Sequence, residues 1–137
     1  LLHSLRNITY PNVEVIVIDN HSVENPEQVM LTQFPEVIFI RSAVNAGFAG
    51  GNNLGIDKAQ GEYLLFLNND TEVDAGFLEP LVNLFETHPD AGMASPKIIY
   101  HQSGNTIQYV GCGNINPYTG RNKREGFKEK DVGQYDA

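Results

Sequence analysis

Cysteine is nearly absent: Cys112 is the only one in 137 residues. No intrachain disulfide can form and no cysteine metal cluster is available. A reducing, cytoplasmic setting is compatible with that usage. Long apolar runs are missing too. None approaches the roughly 18 residues that a bilayer-spanning helix needs, and no secretory signal pattern stands at the start. Basic residues are few. Nine Lys and Arg face 17 Asp and Glu, for a net charge of −8, which argues against a general nucleic-acid binder. Two phosphate-binding signatures are also absent. No Gly-Lys-Ser/Thr closes a Walker loop, and no Gly-x-Gly-x-x-Gly fingerprint occurs.

What is present is an ordinary domain composition, 41% hydrophobic and 19% charged, in a length that suits one domain with a real core. The charge is uneven. Residues 121–137 carry five basic side chains, Arg121, Lys123, Arg124, Lys128 and Lys130. That run could face phosphate or lipid head groups. Glu125, Glu129 and Asp131 interrupt it, and a solvated loop is the reading we take. At the other end, Leu1, Leu2, Leu5 and Ile8 have helical spacing with nothing before them to cap a helix. Leu1 reads as a position inside a helix.

Periodicity orders the rest. Val13 to Ile18 is almost continuously apolar and β-branched, which predicts a strand buried on both faces. Asn25-Pro26-Glu27 predicts a helix start, with the helix running to about Phe34. Val37 to Ile40 predicts a second buried strand and Tyr63 to Leu67 a third. Between them, Asn45 to Gly51 reads as a glycine-rich loop and Asn52 to Gln60 as a short helix stopped by Gly61. Leu78, Leu81, Val82 and Phe85 mark another helix, with Pro80 in its first turn. Ala94–Tyr100 and Thr106–Val110 look like further strands. Beyond Gly111 no period is clear.

Strands alternating with helices imply an α/β fold with a parallel sheet, whose ligands bind beyond the carboxyl ends of the strands. Three polar clusters stand at those ends: Asp19-Asn20, the Asn45–Asn53 loop, and Asn68-Asn69-Asp70. Asp19 could accept hydrogen bonds from a nucleobase N–H or ribose hydroxyls, or simply form a turn. The loop at Gly47, Gly50 and Gly51 could bring backbone N–H groups to a phosphate, or merely connect. Asn52 and Asn53 could cap the next helix or offer amides to a diphosphate or sugar. Asp70 could supply a carboxylate oxygen to Mg²⁺ or Mn²⁺ bridging to a diphosphate, while Asn-Asn-Asp-Thr is equally good Asx-turn chemistry. His21 adjoins Asp19 and reads as a bystander. His3, His88 and His101 read as inert surface residues.

Together these segments resemble family 2 glycosyltransferases. Tyr10-Pro11-Asn12-Val13-Glu14-Val15 followed by Val17-Ile18-Asp19-Asn20-His21-Ser22 resembles that family's first motif. Asn45-Ala46-Gly47-Phe48-Ala49-Gly50-Gly51-Asn52-Asn53 resembles its second. Gly61-Glu62-Tyr63-Leu64-Leu65-Phe66-Leu67-Asn68-Asn69-Asp70 resembles its local form of the DXD motif. Order and spacing match over residues 1–100, and the variants look most like bacterial rhamnosyltransferase-type members, which serve cell-envelope polysaccharide synthesis. The resemblance implies a GT-A, Rossmann-like fold with a mostly parallel sheet flanked by helices. It also implies a nucleotide-diphosphate-sugar donor, an inverting transfer to an acceptor hydroxyl on a glycan or lipid-linked acceptor, and metal assistance. Asp19, Asn20, Asn45, Gly47, Asn52, Asn53, Asn68 and Asn69 would bind the donor, and Asp70 would hold the metal. Asn68 stands where the family has Asp, which removes one anionic ligand.

The same resemblance places the family's first strand before Leu1 and the motif carrying its catalytic base beyond Ala137. No catalytic base is therefore assigned. Residues 1–111 would form the donor-binding part and 112–137 the start of an acceptor-side region. The expected location is cytoplasmic or peripheral at the inner membrane. A missing strand would expose two apolar edges, so a homodimer through them is expected. Two rival readings are a non-catalytic nucleotide-sugar binding module and a sugar-phosphate nucleotidyltransferase. The second lacks its usual basic, glycine-rich loop near the start.

Overall fold

Two adjacent apolar stretches pair as expected, and that pairing organises the first half of the chain. The computed structural model describes residues 1–122 and 124–136. Lys123, one of the basic run, lies outside them. The chain divides into two compact units, Leu1–Val73 and Asp74–Ala137.

In the first unit, β1 (Ile16–Asp19) and β2 (Ile38–Arg41) form a parallel pair in the register Ile16↔Ile38 to Asp19↔Arg41. A parallel pair needs a crossover, supplied by α2 (Glu27–Gln33), which lies against β2. Just ahead of α2, Asn25 Oδ1 accepts the Glu27 N–H at 3.0 Å. The short α1 (Leu2–Leu5) precedes β1. Its neighbour Arg6 pairs with Glu36 at 2.6 Å and lies 4.6 Å over the Phe34 ring, one of the few buried apolar side chains. His3 also packs on Phe34, at 5.1 Å between ring centroids, so it is a packing residue rather than an inert one.

Three expectations are corrected here. The glycine-rich loop is helix: α3 spans Gly47–Ile56. Glycine disfavours helix, but close packing reverses the preference locally. A Cβ on Gly55 would lie 3.6 Å from Ile18, and one on Gly51 would lie 3.3 Å from Asn20. Gly51 thus lets α3 approach Asn20 closely, while Gly55 lies at ordinary contact distance from β1. Asn52 and Asn53 consequently sit inside the helix and cannot cap it. Second, Tyr63–Leu67 is not a strand. Strand is a property of a pair, and the sheet contains only β1 and β2. Tyr63, Leu64, Leu65 and Phe66 are 43–54% exposed. Third, β1 is half-buried up to its last residue rather than covered on both faces, because a two-stranded sheet has little area to be covered.

In the second unit, α4 (Leu78–Thr87) carries Pro80 in its first turn as expected. β3 (Ile98–Ile99) and β4 (Ile107–Tyr109) pair antiparallel, so the later strands do not extend a parallel sheet. Segment 124–136 is not a free tail. The Ile107 N–H donates to Glu129 O and the Lys128 N–H to Ile107 O, both at 2.9 Å. Ile107 is fully buried between them. Lys97 pairs with Asp131 at 2.7 Å and with Asp136. Two residues of the basic run, Arg124 and Lys128, flank the Phe127 ring at 5.0 and 5.5 Å.

Candidate functional site

The carboxyl end of β1 is where an ionised group is buried. Asp19, its last residue, is 5% exposed. Its Oδ1 accepts the Ser22 N–H at 2.9 Å. Its Oδ2 lies 3.2 Å from Arg41 Nε but receives no directed hydrogen bond among the described residues. Arg41 is opposite Asp19 because the parallel register puts the two strand ends side by side, and its Nη2 also donates to Ser22 O at 3.0 Å. Ser22, through its side chain and then its N–H, holds the Asp19 carboxyl below the usual carboxylate range; burial opposes the shift, while Arg41 and His21 add to it. The site therefore holds a buried carboxylate that stays ionised, with Oδ2 ion-paired to Arg41 and without a directed hydrogen bond among the described residues.

A cavity of about 890 Å³ opens beside it, lined among others by Asp19, Ser22, Phe48, Leu67, Asn68 and Asn69. That size suits a small-molecule ligand. Of the residues singled out from sequence, Asp19, Asn68 and Asn69 line this cavity. Asp70 follows directly, exposed in the turn that Asn68 O closes by accepting the Thr71 N–H and Oγ1–H. No Asx-turn forms: among the described residues the Asp70 carboxylate makes no hydrogen bond or ion pair. Asn20, Asn45 and Gly47 do not line the cavity but bond to one another. Asn20 Nδ2 donates to Gly47 O at 2.9 Å and to Asn45 Oδ1 at 3.2 Å. The Ala46 N–H donates to Asn20 Oδ1 at 3.0 Å, and the Gly47 N–H to Asn45 Oδ1 at 2.9 Å. Asn52 and Asn53 lie within α3, outside the cavity wall. His21, read as a bystander, does not line the cavity and sits at φ 69° in the bend after β1.

Sequence reasoning missed Arg41 and Ser22. A cation one residue past an apolar strand was a usable signal for Arg41, since adjacent parallel strands end together. Ser22 stood in the quoted motif without a role. Phe48, on the first turn of α3, was hidden by reading that segment as loop.

A divalent cation would find an exposed carboxylate at Asp70, whereas the Asp19 carboxylate is buried against Arg41. No group of three or more His, Cys, Asp or Glu able to hold a metal occurs among the described residues. The donor set thus fits an ion held mostly by ligand phosphate oxygens and water and does not fit an all-protein cage. No described helix is long and apolar enough to cross a membrane.

A model of "Glycosyl transferase family 2" matches residues 1–135. The chain is 31% identical over 110 residues to the O-antigen biosynthesis protein RfbC of Myxococcus xanthus, covering 78% of this chain and 8% of that protein. It is 34% identical over 101 residues to an "uncharacterized glycosyltransferase" of Haemophilus influenzae, covering 74% and 32%. Over 158 residues it is 29% identical to the poly-β-1,6-N-acetyl-D-glucosamine synthase of Staphylococcus epidermidis, covering 99% and 38%. The chain spans about a third or less of the first curated relatives it matches. No solved structure matches it.

Proposed function

This chain belongs to glycosyl transferase family 2, and we propose that it binds the nucleotide-diphosphate-sugar donor for an inverting sugar transfer in cell-envelope polysaccharide synthesis. The observation that carries the proposal is Asp19: a buried, ionised carboxylate whose Oδ2 has no directed hydrogen bond, lining a cavity that Asn68 and Asn69 also line. Oδ2 would accept a hydrogen bond from a nucleobase N–H or a ribose hydroxyl, a charge-assisted bond. Asn68 and Asn69 would offer amides to ribose or donor sugar. Asp70 would hold a Mg²⁺ or Mn²⁺ ion. When bound, that ion supplies positive charge against the diphosphate as it leaves. The acceptor hydroxyl of a glycan or lipid-linked acceptor would attack the anomeric carbon from the opposite face and lose its proton to a carboxylate base. Residues 1–111 would serve the donor and 112–137 begin the acceptor side, in a protein at the cytoplasmic side of the envelope.

A second reading is donor binding without transfer by this chain alone. The second unit's acids favour it. Asp131 and Asp136 are engaged by Lys97, and Glu129 accepts the Tyr135 hydroxyl at 3.1 Å, so three of the four acids of 121–137 are committed elsewhere.

Calorimetric titration with uridine and thymidine diphosphates, with and without Mg²⁺, tests the donor reading. Binding is expected to need the metal, because a diphosphate otherwise meets Asp70 unscreened. Asp70→Ala is expected to abolish the metal dependence. Equal affinity with and without Mg²⁺ counts against the assignment.

A further inference from the structure

We propose that Asn20 is a positioning residue that, with Asn45 as its partner, clamps the amino end of α3 to the end of β1 and so fixes Phe48 and Asp19 in one frame. The inference rests on the donor reading for its functional consequence, though not for the clamp itself. Asn20 commits its whole amide. Both Nδ2 hydrogens are donated, to Gly47 O and Asn45 Oδ1, and Oδ1 accepts the Ala46 N–H. An amide so engaged has no donor left for a ligand. Asn45 closes the ring by accepting the Gly47 N–H. Neither asparagine lines the cavity, whereas Phe48, the residue after the clamped peptide, and Asp19, the residue before Asn20, both do.

The amino end of α3 needs such a device. Its N-cap is Ala46, with no side-chain cap bond. Gly47 sits at φ 71°, a conformation glycine adopts freely. Gly50, Gly51 and Gly55 further lower the helix propensity. An unclamped end would fray, and Phe48, 78% exposed, has little packing of its own to hold it. The bare Cα of Gly51 makes room for the clamp, since a Cβ there would stand 3.3 Å from Asn20 Cγ and Nδ2.

Two readouts on the full chain decide the matter. The first is backbone amide exchange at Ala46 and Gly47 in the free protein. Asn20→Ala is expected to speed exchange about tenfold at both positions, and Asn20→Asp, which keeps an acceptor for the Ala46 N–H but loses both donations, at Gly47. Asn45→Asp keeps the oxygen that Gly47 and Asn20 use, so it is expected to exchange like the wild type where Asn45→Ala does not. Unchanged exchange in Asn20→Ala overturns the clamp. The second readout is the Kd for uridine and thymidine diphosphates with Mg²⁺. Asn20→Ala and Asn45→Ala are each expected to bind about fivefold more weakly, and the double variant no more weakly than the worse single one. Losses that multiply to about 25-fold would mean independent ligand contacts and overturn the proposal. If Asn20→Ala does not fold, Gly51→Ala replaces it. That change favours the helix while pressing on Asn20, so faster exchange at Ala46 and Gly47 without a lower Tm is expected; wild-type exchange and affinity would overturn the clamp. A wild-type chain that binds neither nucleotide defeats the donor reading and the clamp's role in it, while the exchange measurements still decide whether the two asparagines hold the helix end.

Discussion

Replacing Asp19 by Asn separates a buried ligand-binding carboxylate from a buried structural one. The two side chains have the same shape, so the change is one of charge and hydrogen-bonding sense. If the new amide keeps its oxygen on the Ser22 N–H, its NH₂ takes the place of Oδ2, 3.2 Å from Arg41 Nε. If it flips, the NH₂ faces the Ser22 N–H instead. Either way a donor faces a donor at a position 5% exposed, where water gives little relief. Some stability is therefore lost, and a lower Tm is expected. The ligand effect is separate and larger. Oδ2 is the atom proposed to accept from the nucleoside: in the first rotamer an NH₂, which cannot accept, replaces it, and in the second a neutral carbonyl oxygen does, so the charge-assisted bond is lost either way. A hydrogen bond to a charged group is worth about a ten- to hundredfold change in Kd. Titration of the Asp19→Asn variant with a Mg²⁺–nucleoside diphosphate, at a temperature where circular dichroism shows it folded, measures that loss. Ser22→Ala is the control: it removes the hydroxyl but leaves Oδ2 and the residue-22 N–H in place, and should cost little affinity. A folded Asp19→Asn chain binding within about twofold of the wild type would refute the role given to Asp19.

Three further outcomes are expected. Ile107→Ala, at a fully buried site, should destabilise the second unit by about 2–5 kcal/mol, read as a shifted urea midpoint, while nucleotide affinity stays as it was. Lys97 is raised above its ordinary pKa by Asp131 first and Asp136 second, so its stabilising contribution is whole below the unfolded value of about 10.4 and fades as pH rises through the higher folded value; Lys97→Met should remove that alkaline limb from the stability profile, and a limb that persists in the variant would assign it elsewhere. The exposed apolar run Leu64, Leu65 and Phe66 is an aggregation liability, so Leu65→Lys should raise the concentration at which light scattering first detects aggregates, and an unchanged onset would discount that run.

The elements that could be read from sequence are those whose causes are local. β1, β2, α2 and α4 were legible because apolar periodicity and turn chemistry act over a few residues, as at Asn25-Pro26-Glu27 and Pro80. Their bounds shifted by one to three residues. Asp19 was legible as a polar residue closing an apolar run where the parallel pair ends. What was misread depends on partners distant in the chain. Gly47–Gly51 has the composition of a loop, and the close fit of Gly51 against Asn20, some thirty residues away, is not written in composition. Tyr63–Leu67 has the composition of a strand, but composition cannot supply a neighbouring strand to bond with.

Sequence alone thus determined the family and the α/β class, because each is written in residue identity and spacing. Tertiary structure decided which of those residues face the cavity and which face each other. Register, a relation between β1 and β2, set Arg41 against Asp19. Backbone geometry at α3 turned Asn20 and Asn45 toward the helix end rather than toward a ligand. An amide looks the same in a sequence whether its hydrogens are spent or free, and only the positions of its neighbours settle which.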